Sequence, residues 1–205
     1  MKNASGVVTG VRPEPPSSSW GWDGGMEVLG VETESAFLSL PCTAELRIEA
    51  HRTLLLIESG GNRWTTVLHG VGEVAFGAAV QGHLLRRYRL LVDLHGVREL
   101  MARIGSTAPG GPARWDEISG VDPVTGEPRK EILSSSEVFR AIRGLLGYAA
   151  DFVRDEFGGA SPDAGEVRLS GPAALWRGFA RSLSHVLGRP VAETGTGTRV
   201  RRRAG

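Results

Sequence analysis

Short apolar runs alternate with glycine turns in residues 51–79, HRTLLLIESGGNRWTTVLHGVGEVAFGAA, and the rest of the chain is organised around this stretch. Residues 53–57 form a short apolar run with no room for a helix before Gly60, and read as a buried strand. Residues 58–62 carry two adjacent glycines and read as a tight turn. Residues 63–69 return as a second strand, 70–72 turn again, and 73–80 read as a third strand. A strand, a glycine turn and a strand can cup a phosphate in backbone N–H groups. The same pattern suits a β-meander without a ligand, and taken alone these residues favour the meander.

The flanking segments alternate between the two periods. Residues 26–31 are a strand candidate, 34–40 a short helix or turn, and 45–50 join the central hairpin. Residues 82–88 and 96–104 read as helices, the second stopped by Gly105. Residues 115–119 and 130–133 alternate around a long turn and predict an antiparallel hairpin. Ser134-x-x-Glu137 is a capping box, opening the clearest helix of the chain. Val138, Ile142, Leu145, Ala149, Val153 and Phe157 then recur at three and four residues and give it one apolar face. Residues 166–169 read as a strand and 170–172 as a turn. Residues 173–187 read as a helix with Leu175, Phe179, Leu183 and Val186 facing in, and 190–192 as a last strand.

Composition narrows the class. At 205 residues the chain can hold one good core or two small ones. The net charge of +1 provides no general field for nucleic acid or membrane. Cys42 is the only cysteine, which excludes a disulfide framework or a thiolate metal site within the chain and fits a reducing compartment. No apolar run approaches the roughly 18–20 residues of a membrane span, and the N-terminus has no signal-peptide core. A soluble cytoplasmic protein is expected. Residues 1–25, rich in Pro, Ser and Gly, are expected to be disordered, and 194–205 to form a flexible basic tail. The five histidines never fall at a helical i, i+4 ligand spacing. Neither a G-x-S-x-G elbow nor a G-x-x-x-x-G-K-[ST] loop occurs.

Taken in order, the pieces resemble the second half of an actin-fold protein, most closely the MreB family of bacterial rod-shape-determining actin homologues. The family's phosphate turn, V-D-I-G-G-G-T-T-E-V-A-V-I, is matched to residues 57–69. Glu58 then stands for its acid, Gly60 and Gly61 for two glycines, Asn62 for the third, and Arg63 and Trp64 for the two threonines. Residues 86–91 and 104–106 resemble R-N-Y-x-L-L and I-G-S-A. Residues 122–137, DPVTGEPRKEILSSSE, are similar to R-D-L-V-T-G-L-P-R-x-I-E-V-T-S-E-E, and 169–179 to L-T-G-G-G-A-L-L-R-G-L.

The resemblance implies an α/β fold, an actin-like (ribonuclease-H-like) second lobe with a mixed sheet and flanking helices. The lobe spans residues 26–193, with about 107–133 as a hairpin subdomain. A first lobe would precede it, where this chain has only the tail 1–25. The family's adenosine-side helix, A-E-R-I-K, falls on residues 97–101, so its acid becomes Arg98 and its lysine Met101. The last turn keeps Gly171, but Pro172 removes a donor and Ala173 adds a Cβ. The implied nucleotide-site remnant is therefore Glu58, Gly60, Gly61, Asn62, Arg63, Arg98, Met101, Gly171, Pro172 and Ala173, with no catalytic residue and no metal ligand. ATP and Mg²⁺ are expected to bind weakly or not at all. The implied function is a non-catalytic cytoskeletal protein of cell shape and cell-wall morphogenesis, working at the inner face of the membrane. Its expected partners are itself or a full-length actin-like homologue, and through these cell-wall morphogenesis proteins, with Trp64 and Trp176 as interface candidates. The alternative is a nucleotide-binding ATPase, or a fragment of an actin-fold kinase whose other lobe comes from a second chain.

Overall fold

A computed structural model describes residues 26–29, 42–59, 61–158 and 167–193. In chain order the elements are β1 (Met26–Leu29), β2 (Cys42–Ile48), β3 (Arg52–Ser59), β4 (Asn62–His69), α1 (Glu73–Tyr88) and α2 (Leu94–Ile104). There follow β5 (Trp115–Val121), β6 (Pro128–Ser134), α3 (Ser135–Gly158), β7 (Val167–Ser170), α4 (Phe179–Leu187) and β8 (Val191–Glu193). A six-stranded sheet has the order β1-β4-β3-β2-β7-β8, and β5 and β6 form a separate ribbon. The segment read as 34–40 lies outside the described residues.

The large sheet is mixed. β1, β4, β3 and β2 pair antiparallel in succession, while β2, β7 and β8 run parallel. Period-2 alternation fixes which face is buried. Cys42, Ala44, Leu46 and Ile48 of β2 and Leu55 and Ile57 of β3 all point into the core. α1 adds Phe76, Val80 and Leu84, α3 adds Val138, Ile142, Leu146 and Val153, and α4 adds Phe179 and Leu183, so one continuous core joins sheet and helices.

Two expected elements are corrected. Residues 73–80 are not a third strand but the first half of α1, which also absorbs the helix expected at 82–88. Phe76, Val80 and Leu84 sit four residues apart and are each 0% exposed, a helical face. Gly77 does not break this helix. It lets α2 approach, because a Cβ there would lie 2.5 Å from Leu94 Cδ1. The expected helix over 173–187 is also broken. Pro172–Leu175 is a 3₁₀ turn, Gly178 takes φ +70°, and only Phe179–Leu187 is α-helical. Leu175 therefore does not face in and is 76% exposed.

The hairpin and capping box form as their spacing predicts. Trp115 pairs opposite Ser134 and Ser119 opposite Lys130. Ser134 Oγ accepts from the Glu137 amide at 3.2 Å, and Glu137 Oε2 accepts from the Ser134 amide at 3.0 Å. The other oxygen of Glu137 accepts from Tyr88 Oη at 2.5 Å, fastening the end of α1 to the start of α3.

His83 is enclosed beside that junction, and its Nε2 is buried without a hydrogen-bond partner. Burial pushes its pKa below the ordinary 6.5. Glu137 opposes this, while Arg140, Arg86 and Arg87 reinforce it. A base with a depressed folded pKa is neutral in the fold and binds more protons when unfolded. Its contribution is therefore complete above the unfolded value and is lost as pH falls through the folded one. Denaturant unfolding should show stability declining as pH falls below 6.5. In His83→Gln the slope in that window should flatten. An unchanged slope in the variant would remove His83 as its source.

Candidate functional site

In an open α/β sheet, ligands gather outside the carboxyl ends of the parallel strands. Here β2 and β7 define that edge, with Arg47 paired to Ser170. Three segments meet there: the β2–β3 turn at residues 49–51, Gly171 with its 3₁₀ turn, and the N-terminus of α1. Gly171 has φ +82°, and a Cβ on it would lie 2.4 Å from Ile48 O, so only glycine allows the two strand ends to close up.

The backbone of this edge is largely engaged within the chain. The carbonyls of Glu49 and Ala50 accept from the first amides of α1, Glu73 N at 2.8 Å and Val74 N at 2.9 Å. The Glu49 amide donates to Arg52 O at 2.9 Å. The Glu49 carboxylate accepts from Arg52 Nε at 2.8 Å and stands 3.8 Å from Arg47 Nε. Arg98 of α2 stands with Nε 3.1 Å from Glu73 Oε1, an ion pair by distance whose geometry falls short of a hydrogen bond. Ser170 Oγ donates to Glu45 Oε1 at 2.6 Å.

The residues expected to form one nucleotide site do not come together. Ser59 pairs with Cys42, so the turn carrying Gly61 and Asn62 lies at the amino end of β2, the opposite edge from Gly171, Pro172 and Ala173. The eight residues of β3 separate the two edges by roughly 20–25 Å. Gly60 lies outside the described residues. Glu58 faces Arg63 directly across the hairpin, 3.5 Å apart, a solvent-exposed pair that satisfies itself. Met101 is 1% exposed and belongs to the core.

The two interface candidates are also divided. Trp176 is 4% exposed, its ring edge-on to Phe76 at 6.1 Å and to Phe179 at 5.3 Å. In that position it is a core side chain and presents no contact surface. Trp64 is half-buried on β4 opposite Ile57, near the other edge.

Topology identifies the turn that sequence reasoning missed. Gly171 shares its edge with the β2–β3 turn, so a ligand held at Gly171 would meet that turn. The family pattern can be laid along this turn by setting its final isoleucine on Ile57, which aligns the strand and not the turn residues. Its acid then falls on Leu46, its three glycines on Ile48, Glu49 and Ala50, and its two threonines on His51 and Arg52. The available signal was the apolar strand after the turn, which matches E-V-A-V-I as Thr53-Leu54-Leu55-Leu56-Ile57.

A mixed sheet of this order, with helices against one face and a hairpin inserted before the long helix, is an actin-type lobe. Its fold is similar to MreB 5 of Spiroplasma citri, solved bound to AMPPNP and to ADP, with TM-score 0.65 and 19% identity over 75% of this chain and 48% of that one. It is also similar to a non-polymerising MamK mutant bound to AMPPNP, with TM-score 0.61 and 14% identity over 75% of this chain and 49% of that one. In sequence it is 24% identical over 155 residues to the cell shape-determining protein Mbl of Bacillus cereus, covering 67% of this chain and 46% of Mbl. No protein-family model matches. The chain is a relative of the MreB-type actin homologues and spans about half the length of the proteins it matches. Among the described residues, no helix is long and apolar enough to cross a membrane, and no group of three potential ligands could hold a metal ion.

Proposed function

We propose that this chain is a non-catalytic actin-like protein that acts in cell-shape and cell-wall morphogenesis by associating with itself and with a full-length MreB-type filament. The cytoskeletal part of this reading is supported by the actin-type fold and the likeness to Mbl. The non-catalytic part is carried by one observation, the state of the β2–β3 turn. A phosphate cradle needs bare backbone amides and hydroxyls. This turn instead offers a carboxylate, Glu49, clamped by Arg52, and its carbonyls are capped by α1. No position matched to a glycine, threonine or acid of the family turn keeps that residue.

A retained nucleotide site is the competing reading. It is favoured by Arg47 and Arg52 at the same edge, and by the nucleotides held by MreB 5 and MamK. Calorimetric titration of the full chain with Mg-ATP separates the two. The expected result is no binding tighter than about 0.1 mM, an affinity near −5.5 kcal/mol. A low-micromolar dissociation constant would favour the competing reading.

A further inference from the structure

α3 is 24 residues long, and one of its faces is exposed and packs on no other element among the described residues. The buried face carries Val138, Ile142, Leu146 and Val153, which leaves the opposite stripe to solvent. That stripe is ordered by charge. Its first part carries Arg140 and Arg143, both exposed, and its last part carries Asp151 and Asp155, both exposed. Between them lie Gly144, Gly147 and the half-exposed Tyr148. Glycine in a helix interior is destabilising relative to alanine. Nothing among the described residues requires it here, because a Cβ on Gly144 or Gly147 would meet none of their atoms within 4 Å. Arg143 and Asp155 have no ion-pair partner among the described residues, Arg140 stands 3.9 Å from Glu137, and Asp151 pairs only with Arg154 on its own helix.

A face that is basic at one end, acidic at the other and smooth in the middle is complementary to itself when turned end for end. We infer that α3 is a homotypic docking surface, on which a second copy of this chain packs antiparallel about a twofold axis between Gly147 and Tyr148. In that register Arg140 stands opposite the second copy's Asp155, and Arg143 lies one residue from the position opposite the second copy's Asp151. Tyr148 lies on the second copy's Gly147 and Gly144, whose missing side chains let the helices approach. Each contact occurs twice, as an isologous interface requires. The inference rests on the self-association reading above and names the surface that carries it. A single helix pair buries less than a standard interface, so a weak dimer is expected.

Sedimentation equilibrium of the full chain, from about 5 to 500 μM, tests it. The wild type should dimerise with a dissociation constant of about 10–100 μM. Gly147→Glu places a long charged side chain on the axis and should leave a monomer with an unchanged circular dichroism spectrum. Arg140→Asp and Asp155→Arg should each weaken the dimer about tenfold, because each puts two like-charge contacts into the interface. The double variant Arg140→Asp/Asp155→Arg should recover wild-type affinity, a rescue that only antiparallel pairing predicts. A wild type that stays monomeric, a dimer indifferent to Gly147→Glu, or a double variant no better than the singles would overturn the assignment. If that happens while the chain still pellets with full-length MreB-type filaments, this surface fails and the functional reading stands.

Discussion

Replacing Phe76 with alanine should remove about 3–5 kcal/mol of stability, a large share of what a domain of this size holds. Phe76 is fully buried, and its ring meets Phe179 at 5.2 Å and Trp176 at 6.1 Å, both edge-to-face. Truncation loses the transfer free energy of the ring and leaves a cavity lined by two rigid aromatic side chains, which cannot collapse into it. The loss also reaches the candidate site, since Phe76 lies one turn from the α1 amides that cap Glu49 and Ala50. Urea denaturation measures the effect, with Leu85→Ala as control. Leu85 is 42% exposed, and its truncation should change stability by no more than about 0.5 kcal/mol. Similar small losses in both variants would mean the aromatic trio is not the keystone between α1 and α4.

The second large effect is expected at Gly105, which ends α2. It takes φ +65° and ψ −148°, a region essentially closed to other residues. A Cβ there would lie 1.8 Å from Arg177 O and 2.6 Å from the carbonyl carbon. That carbonyl accepts from the Ser106 amide at 3.0 Å, so the backbone cannot retreat without breaking a bond between the α2 exit and the loop before α4. Gly105→Ala should cost about 3 kcal/mol or more. Gly126→Ala is the discriminating control. Gly126 has φ +73° but open space around its Cβ, so only the backbone term of about 1 kcal/mol applies. Equal losses at the two sites would show that the contact with Arg177 contributes nothing.

Local chemistry was the legible part of this sequence. The capping box at Ser134 and Glu137 and the alternation on either side of residues 121–128 are each fixed by neighbours a few residues apart, and they form as read. α1 was divided into a strand over 73–80 and a helix over 82–88, although Phe76, Val80 and Leu84 share one helical face. Gly77 is there for packing under Leu94, a contact 17 residues away that no window on the sequence contains. The candidate site was misplaced for a related reason. Gly60-Gly61 is the most conspicuous turn of the chain, but a turn's composition does not say which edge of a sheet it occupies. That is decided by the parallel pairing of Leu46 with Leu169 and of Arg47 with Ser170, more than 120 residues apart. Arg98 and Met101 show the same limit. Each was read as a lost nucleotide contact, and each is explained by what it touches: Glu73 for the guanidinium and the core for the thioether.

The correction strengthens the non-catalytic reading. On the first placement two glycines of the phosphate turn survived. On the edge where Gly171 lies, Ile48, Glu49 and Ala50 stand in place of all three. On the proposed reading, an actin-type lobe without a phosphate turn would serve assembly as a rigid body with faces to present.

Co-sedimentation with filaments of a full-length MreB-type homologue tests that claim most directly. The full chain, mixed with preformed filaments over a concentration series, should pellet with them saturably, and should do so equally whether or not it has been preincubated with Mg-ATP. A chain that remains in the supernatant at every concentration, or that pellets only after loading with Mg-ATP, would contradict the account.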